Sequence, residues 1–481
     1  MKKVALIYPS DFSSDKSLPL GIGYLASYLL KQNDDIAISV LDTGICTQQE
    51  YTSFIKEKYD VVGFSVSTRA YREGISIAKK IRANHPNVPI VFGGPHVSVM
   101  LEKVLLDSSL IDYGIYGEGE LTLNELLNVI LNAEDRNKDI ITAELLAIEG
   151  LIFRDNEKVI VNDPRPFIED VDNIPFPAFH LFPMERYPGK YPMITSRGCP
   201  FACVYCASSM IWKRKWRPRS PENIIEEIKY IIKNYTPRPI DFHDDGFNMS
   251  LDRVNNFCDQ LIQHKIRIPW GARGFRADII DQQTAEKMRQ AGSSHVAIGI
   301  ESADNDMLKR MKKNEDIEKI DRGITLLHSA GIDVIGQFMI GNPSETLETV
   351  KTSIDFVKKS KLSKAIFGTA VPFPGTELWH YVENEGHFLL GKDCTKYEDI
   401  PAHERIIFET DEFTKEDRRK AIELVMEAGY MPQAAERYGN KGEFKKKLRS
   451  IWFRFLYGVL PLTVSYRIYF LLRKLKRIHG A

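Results

Sequence analysis

The stretch Thr195-Ser-Arg-Gly-Cys199-Pro-Phe-Ala-Cys203-Val-Tyr-Cys206 places three of the chain's six cysteines within eight residues, directly after the short apolar run 193–195. A secreted disulfide framework spreads its cysteines in pairs. Three crowded into one loop, with Cys46, Cys258 and Cys394 scattered elsewhere, read as a metal site in a reducing compartment. Structural zinc normally takes four ligands spaced as two pairs. Here the spacing is C-x3-C-x2-C, and the nearest candidate fourth ligand in sequence is His243. Three thiolates in a tight loop can instead hold three irons of a four-iron cluster. The fourth iron is then open to chelate a ligand and pass it an electron.

Outward from this loop the chain alternates short apolar runs with amphipathic segments. C-terminal to it, strands are expected at 240–243, 270–273, 295–298, 334–339 and 365–369. Helices are expected between them at 221–234, 251–265, 283–290, 317–329 and 347–360, Pro221 after Ser220 being a helix start. With 193–195 these make six βα units, too few for a closed eightfold barrel but enough for an open one, whose chemistry belongs at the strands' C-terminal ends. N-terminal to the loop, runs at 4–8, 36–41, 61–66, 90–92 and 113–116 alternate with helical patterns at 21–31, 48–58, 71–83 and 121–131. That pattern predicts a parallel sheet covered on both faces. The expected organisation is a doubly wound α/β domain over 1–140, a Pro-rich linker with a hairpin at 151–153 and 159–161 over 141–188, a partial (β/α)6 barrel over 189–380 and a helical C-terminal region over 381–481.

Lys+Arg and Asp+Glu balance at 65 each, which argues against a globally basic nucleic-acid binder. The N-terminus runs straight into a strand, too soon for a signal-peptide core, and no run of roughly 20 apolar residues offers a membrane span. These features predict a cytoplasmic protein. The last 41 residues are uneven: eleven Lys/Arg against the single acid Glu443, interleaved with aromatics from Phe444 to Tyr457 and in 466–478. Such chain suits either an anionic membrane surface or a pair of helices packed on the barrel with a solvated basic face.

Over about residues 190–380 the chain resembles the radical S-adenosylmethionine (SAM) enzymes. The resemblance implies that Cys199, Cys203 and Cys206 hold a [4Fe-4S] cluster, with Tyr205 as the usual aromatic before the third cysteine. It also implies that SAM chelates the open iron and is cleaved to methionine and a 5′-deoxyadenosyl radical. The motif Phe242-His-Asp-Asp-Gly-Phe247 stands where the family contacts the methionine amine, with Asp244 as the candidate. Arg273 and Arg276 stand where an arginine takes the carboxylate, Glu301 near the ribose, and Phe338-Met-Ile-Gly341-Asn-Pro343-Ser-Glu345 near the adenine. A turn at Pro372-Phe-Pro374-Gly-Thr376 also fits. Asn342 and Ser344 depart from the more familiar Leu and Gly. An electron donor such as flavodoxin or ferredoxin is implied. Asp244 and Asp245 also read as helix caps, Glu301 as a partner of a structural arginine, and His243 and His295 as core histidines.

The first domain, over about 1–135, resembles the cobalamin-binding domain of cobalamin-dependent radical SAM enzymes, the class B methyltransferase type. Its strand ends carry Leu18-Pro-Leu-Gly21, Gly63-Phe-Ser65-Val-Ser67-Thr68, Gly93-Gly94-Pro-His96 and Gly117-Glu118-Gly119-Glu120. Ser65, Ser67, Gly93, Gly94, Glu118 and Gly119 are the implied cofactor contacts. The Asp-x-His-x-x-Gly motif is absent, since Gly94 stands two residues before His96. Cobalamin is therefore expected with no histidine on cobalt, and Arg69 or Tyr71 either beneath the corrin or in an ordinary helix start. The implied activity is methylation of an unactivated carbon of a small or lipid-like substrate. Oxidative cyclisation or rearrangement, or a first domain that no longer binds cobalamin, are the alternatives.

Overall fold

The computed structural model describes residues 1–10, 16–133, 137–187, 189–399 and 405–430. The basic segment from Lys441 onward lies outside them.

In the first strand, β1 (Lys2–Tyr8), Val4, Ala5, Leu6 and Ile7 are all at most 1 % exposed, so both faces of the strand are covered. Most of β3 (Val61–Ser65) and β4 (Ile90–Gly93) is buried likewise, while the edge strand β2 (Ile36–Asp42) is partly exposed; with β5 (Tyr113–Ile115) these strands run parallel in the order β2-β1-β3-β4-β5. Chain order reverses between β1 and β3, and the crevice at the carboxyl ends of those strands is where a doubly wound sheet takes a ligand. The hairpin expected within the linker, β6 (Leu151–Asp155) and β7 (Lys158–Val161), instead adds two antiparallel strands to the edge of this sheet.

The Pro-rich chain then crosses back under the sheet. Ala178 N donates to Gly23 O at 3.0 Å, and Pro177 lies so close to Gly23 that a Cβ there would stand 2.9 Å from it. One apolar core is therefore continuous from Val4 and Leu6 through Phe179 and Tyr191 to Trp270.

The second sheet holds six parallel strands, β8 (Tyr191–Met193), β11 (Ile240–Phe242), β12 (Trp270–Phe275), β13 (Ser293–Glu301), β14 (Asp333–Ile340) and β15 (Lys364–Thr369). They pair in sequence order and do not close, giving the partial barrel. Between β8 and β11 a two-residue antiparallel ribbon, β9 (Ser196–Arg197) with β10 (Arg217–Pro218), brackets the cysteine loop. The outer helices start where side-chain caps stop the chain from fraying: Ser220 accepts from Asn223 N ahead of Pro221–Asn234, and Ser250 from Arg253 N ahead of Leu251–Gln263. After β15 come the helices Glu377–Glu385 and Lys415–Glu427. A small antiparallel pair at His387–Phe388 and Phe408–Glu409 interrupts the helical region expected there.

Candidate functional site

The cysteine loop is fixed at its entry by Gly198. Its φ of +85° is one that side chains resist, and a Cβ there would run into the Lys215 carbonyl and Trp212. Within the loop Cys206 N bonds Cys203 O at 3.1 Å, and Val204 is held between Met311 O (3.1 Å) and Leu378 N (2.9 Å). All three thiols are free and half-buried. Burial pushes each of them up, Cys206 to about 11. Among the described residues no three His, Cys, Asp or Glu side chains converge around a single metal ion. A cluster, in which each thiolate takes its own iron, suits such a loop. Cys258 and Cys394 are buried in other parts of the fold and Cys46 lies after β2, so no fourth thiol completes the set.

The ionisable residues expected around this loop are packed as a network. Arg276 lies 4.0 Å above the Phe201 ring of the loop, and binds Asp278 at 2.9 and 2.7 Å and Asn314 O at 2.7 Å. Tyr205 lies beside the Glu301 carboxyl and Cys203. Glu301 sits at φ +66°, a strained position at the end of β13, and its burial raises its pKa beside Lys313. The adenine-type turn after β14 has Ser344 at φ +63°, the conformation that explains why glycine is more familiar there. Its Glu345 accepts from Gly341 N and Asn342 N, and Arg418 of the last helix binds Gly341 O at 2.9 Å.

Asp244 is buried among donors. Its carboxylate, 5 % exposed, accepts from Thr195 N (2.7 Å), Thr195 Oγ1 (2.5 Å) and Ser196 Oγ (2.6 Å). It neither caps a helix nor faces open space. Three donors from the strand leading into the cysteine loop make it an anchor for that strand. The acid of this motif that reaches the cavity is Asp245, which accepts from Ser208 Oγ at 2.9 Å.

A cavity of about 430 Å³ opens between the carboxyl ends of the first sheet and the mouth of the barrel. Ser65, Gly93, Gly94, Glu118 and Gly119 line one side; Ser196, Arg197, Gly198, Ser208, Trp212, His243 and Asp245 line the other. Side chains added at Gly21 or Gly117 would meet nothing within 4 Å and would extend into it. A wall kept bare in this way fits a large flat ligand lying against the backbone, as a corrin does. His96 faces elsewhere: it is 2 % exposed, 3.1 Å from Thr68 Oγ1 and packed on Tyr71 at 4.3 Å. Tyr71 is itself buried, and neither it nor Arg69 lines the cavity. Two of the expected contacts are engaged within the protein. Ser67 does not line the cavity; its hydroxyl accepts from Ala70 N at 3.3 Å, before the helix Tyr71–Asn84. Glu118 lines the cavity, and its carboxylate accepts from Arg197 (2.6 Å), Arg217 (2.9 and 3.0 Å) and Ile168 N (2.8 Å).

Sequence reading missed this last group. Arg197 also binds Glu120 at 2.6 Å, and Arg217, its partner across the ribbon, lies 4.7 Å from the Phe167 ring. Nothing in the spacing of residues about eighty positions apart could have signalled it.

The Radical SAM superfamily model matches residues 193–357, and the B12 binding domain model matches residues 15–127. An uncharacterized methyltransferase of Pyrococcus horikoshii is 33 % identical over 412 residues, covering 83 % of this chain and 86 % of that protein. The anaerobic magnesium-protoporphyrin IX monomethyl ester cyclase of Rubrivivax gelatinosus is 28 % identical, covering 78 % and 69 %. In fold, the chain resembles the cobalamin-dependent SAM radical enzyme OxsB, solved with aqua-cobalamin and SAM, at a TM-score of 0.73, 19 % identity and coverage of 100 % and 75 %. The cofactors are accordingly a [4Fe-4S] cluster, SAM and cobalamin. With its thiol loop at the mouth of an open barrel and a bare glycine wall facing it, the chain belongs to the cobalamin-binding radical SAM enzymes of methyltransferase type.

Proposed function

We propose that this enzyme methylates an unactivated carbon of a small or lipid-like molecule held in the cavity between the two sheets. The observation that carries the reading is the cavity itself: one wall is the glycine-rich end of the first sheet and the other borders the cysteine loop, so one substrate can meet both. When bound, SAM and the cluster supply a hydrogen-abstracting radical and cobalamin supplies the methyl group. The chain's own share is to hold and to shield. Cys199, Cys203 and Cys206 hold the cluster; Tyr205, Arg276 and Glu301 pack the loop from the barrel side; Asp244 fixes the strand that enters it. Leu25, Phe64, Ile115, Leu123 and Ile211 give the cavity apolar walls that exclude water from a reactive intermediate. An electron donor of the flavodoxin or ferredoxin type would reduce the cluster. Contact of the basic tail with a membrane remains part of this proposal; no helix among the described residues is long and apolar enough to cross one.

The test compares metabolites and lipids from cells with and without the protein, followed by anaerobic assay of the candidate with methyl-labelled SAM. A product heavier by one labelled methylene, formed with 5′-deoxyadenosine, is the expected result. A second reading, oxidative cyclisation without methyl transfer, is favoured by the similarity to the Rubrivivax cyclase. It predicts 5′-deoxyadenosine with no label in the product, and that outcome would replace the first reading.

A further inference from the structure

Just beyond the cysteine loop stands a turn made of residues that its shape does not favour. Lys215 N donates to Trp212 O at 2.9 Å, which closes a tight turn over Trp212-Lys213-Arg214-Lys215. Both central residues are left-handed, Lys213 at φ +48° and Arg214 at φ +59°. Asn-Gly is the ordinary choice for such a turn, because a Cβ is strained in that conformation. The shoulders hold the strain in place. Trp212 packs 5.9 Å from Phe167, Trp216 Nε1 donates to Gly246 O at 2.8 Å, and Arg217 belongs to the buried group with Glu118.

The tip of the turn is cationic and lies against the cysteine loop. Lys213, Arg214 and Lys215 are all exposed, and the Lys215 carbonyl stands against Gly198, the residue before Cys199. The charged residues on the chain around the turn are engaged. Lys215 pairs with Glu169 of the linker at 3.6 Å, and Asp170 accepts from Asp172 N and Asn173 Nδ2, each at 3.0 Å. Arg217 is held by Glu118, and Asp245 accepts from Ser208 Oγ at 2.9 Å. The side chains of Lys213 and Arg214, by contrast, have no hydrogen bond, ion pair or ring contact among the described residues. Two adjacent cations, held in a strained conformation and bound to nothing inside the fold, are placed to meet something outside it.

Resting on the reading that an external donor reduces the cluster, we propose that Lys213 and Arg214 dock the acidic face of that donor, a small electron-transfer protein of flavodoxin type. Electron transfer slows steeply with distance, so the donor must settle on the protein surface beside the cluster, and this turn packs on the cysteine loop itself. Opposite charge speeds such an encounter by about ten- to a thousandfold and orients it. The donor gives up one electron and the cluster gains one; no group is transferred.

The test follows cluster reduction in anaerobically reconstituted protein by stopped-flow absorbance. Reduced flavodoxin serves as the donor, and reduced methyl viologen, a small cation, as the control. The second-order rate with flavodoxin should fall about tenfold in Lys213→Glu/Arg214→Glu. Added NaCl should slow the wild type far more than this variant. Methyl viologen should reduce the variant at least as fast as the wild type, and iron content and SAM affinity should not change. Lys213→Asn/Arg214→Gly separates charge from structure. It suits the turn, so its melting temperature should hold or rise while its rate with flavodoxin falls. Lys79→Glu/Lys359→Glu alters charge by the same amount at exposed positions on the helices Tyr71–Asn84 and Leu347–Lys359, and should leave the flavodoxin rate nearly unchanged. Equal flavodoxin rates in the wild type and both turn variants, an equal loss in the Lys79/Lys359 variant, an equal loss with methyl viologen, or no reduction of the wild type by flavodoxin would overturn the proposal. Lost SAM or corrin affinity in the turn variants would assign the two cations to a bound cofactor and overturn it as well. Reduction is read without substrate, so a failure of methylation would leave this result standing and a failure here would leave methylation open.

Discussion

Arg197 Nη1 lies 2.6 Å from Glu118 Oε1, across the boundary between the two sheets and two residues before Cys199. Both side chains are less than a tenth exposed. Arg217 and Glu120 complete the group, so the carboxyl end of the first sheet and the cysteine loop are tied by buried charge. A buried pair of this kind adds little beyond what apolar packing would give, but removing one member leaves the other uncompensated. Its value is geometric: it fixes the glycine-rich wall of the cavity against the cysteine loop.

Glu118→Gln should therefore destabilise the protein by about 3–5 kcal/mol, measured by urea unfolding at neutral pH. Burial alone would raise the Glu118 pKa, yet Arg197 and Arg217 bring it below the usual carboxylate value. A depressed folded-state pKa contributes stability above the unfolded value that is lost as pH falls through the folded value. The gap between wild type and Glu118→Gln should narrow on acidification below about pH 4.5; a constant gap would mean that the charge is not what matters.

Cys203→Ala should lower iron bound per chain after anaerobic reconstitution and abolish 5′-deoxyadenosine formation with reductant and SAM. Cys258→Ala should do neither, since Cys258 lies in the core on the outer side of the barrel. Equal iron in both variants would remove the assignment of the loop.

Gly21→Leu fills the cavity wall without a backbone clash, because a Cβ there meets nothing within 4 Å. Leu is also the better helix former by roughly 0.5–1 kcal/mol. The variant should keep or raise its melting temperature and lose at least about tenfold in hydroxocobalamin affinity by absorbance titration. Unchanged corrin binding would show that cobalamin does not lie on this wall.

Glu345 is pushed up to about 7 by burial, against hydrogen bonds from Gly341 and Asn342 and the nearby Arg418. A raised folded-state pKa gives stability that is complete below the unfolded value near 4.5 and is lost as pH rises through about 7. Relative to Glu345→Gln, the wild type should lose about 3 kcal/mol between pH 4.5 and 7.5, each unit being worth about 1.4 kcal/mol. Urea midpoints at the two pH values measure this, and parallel profiles would contradict it.

Much of this was legible in the chain. Strand and helix positions followed from apolar periodicity because most strands of both sheets are parallel and packed under helices, which gives them short runs rich in apolar residues. The hairpin Leu151–Val161 was legible as a hairpin but not as part of the first sheet, since an edge strand's partner leaves no mark on its own pattern. The partners that hold Asp244 and Ser67 in the structure, Thr195, Ser196 and Ala70, were not legible in their motifs.

By itself the sequence determined the types of chemistry present: three thiols at a spacing that suits iron, glycines where a sheet meets a ligand, and strands of the length and period of two parallel sheets. Those are local properties, written in neighbouring residues. Only the tertiary structure decided that Glu118 would grip Arg197, that Asp245 rather than Asp244 would face the cavity, and that Asp241 would gather Lys190, Arg273 and two histidines. Each depends on side chains far apart in the chain meeting in a dry interior, where an unpaired charge is too costly to leave, and that requirement is not carried by any short stretch of sequence.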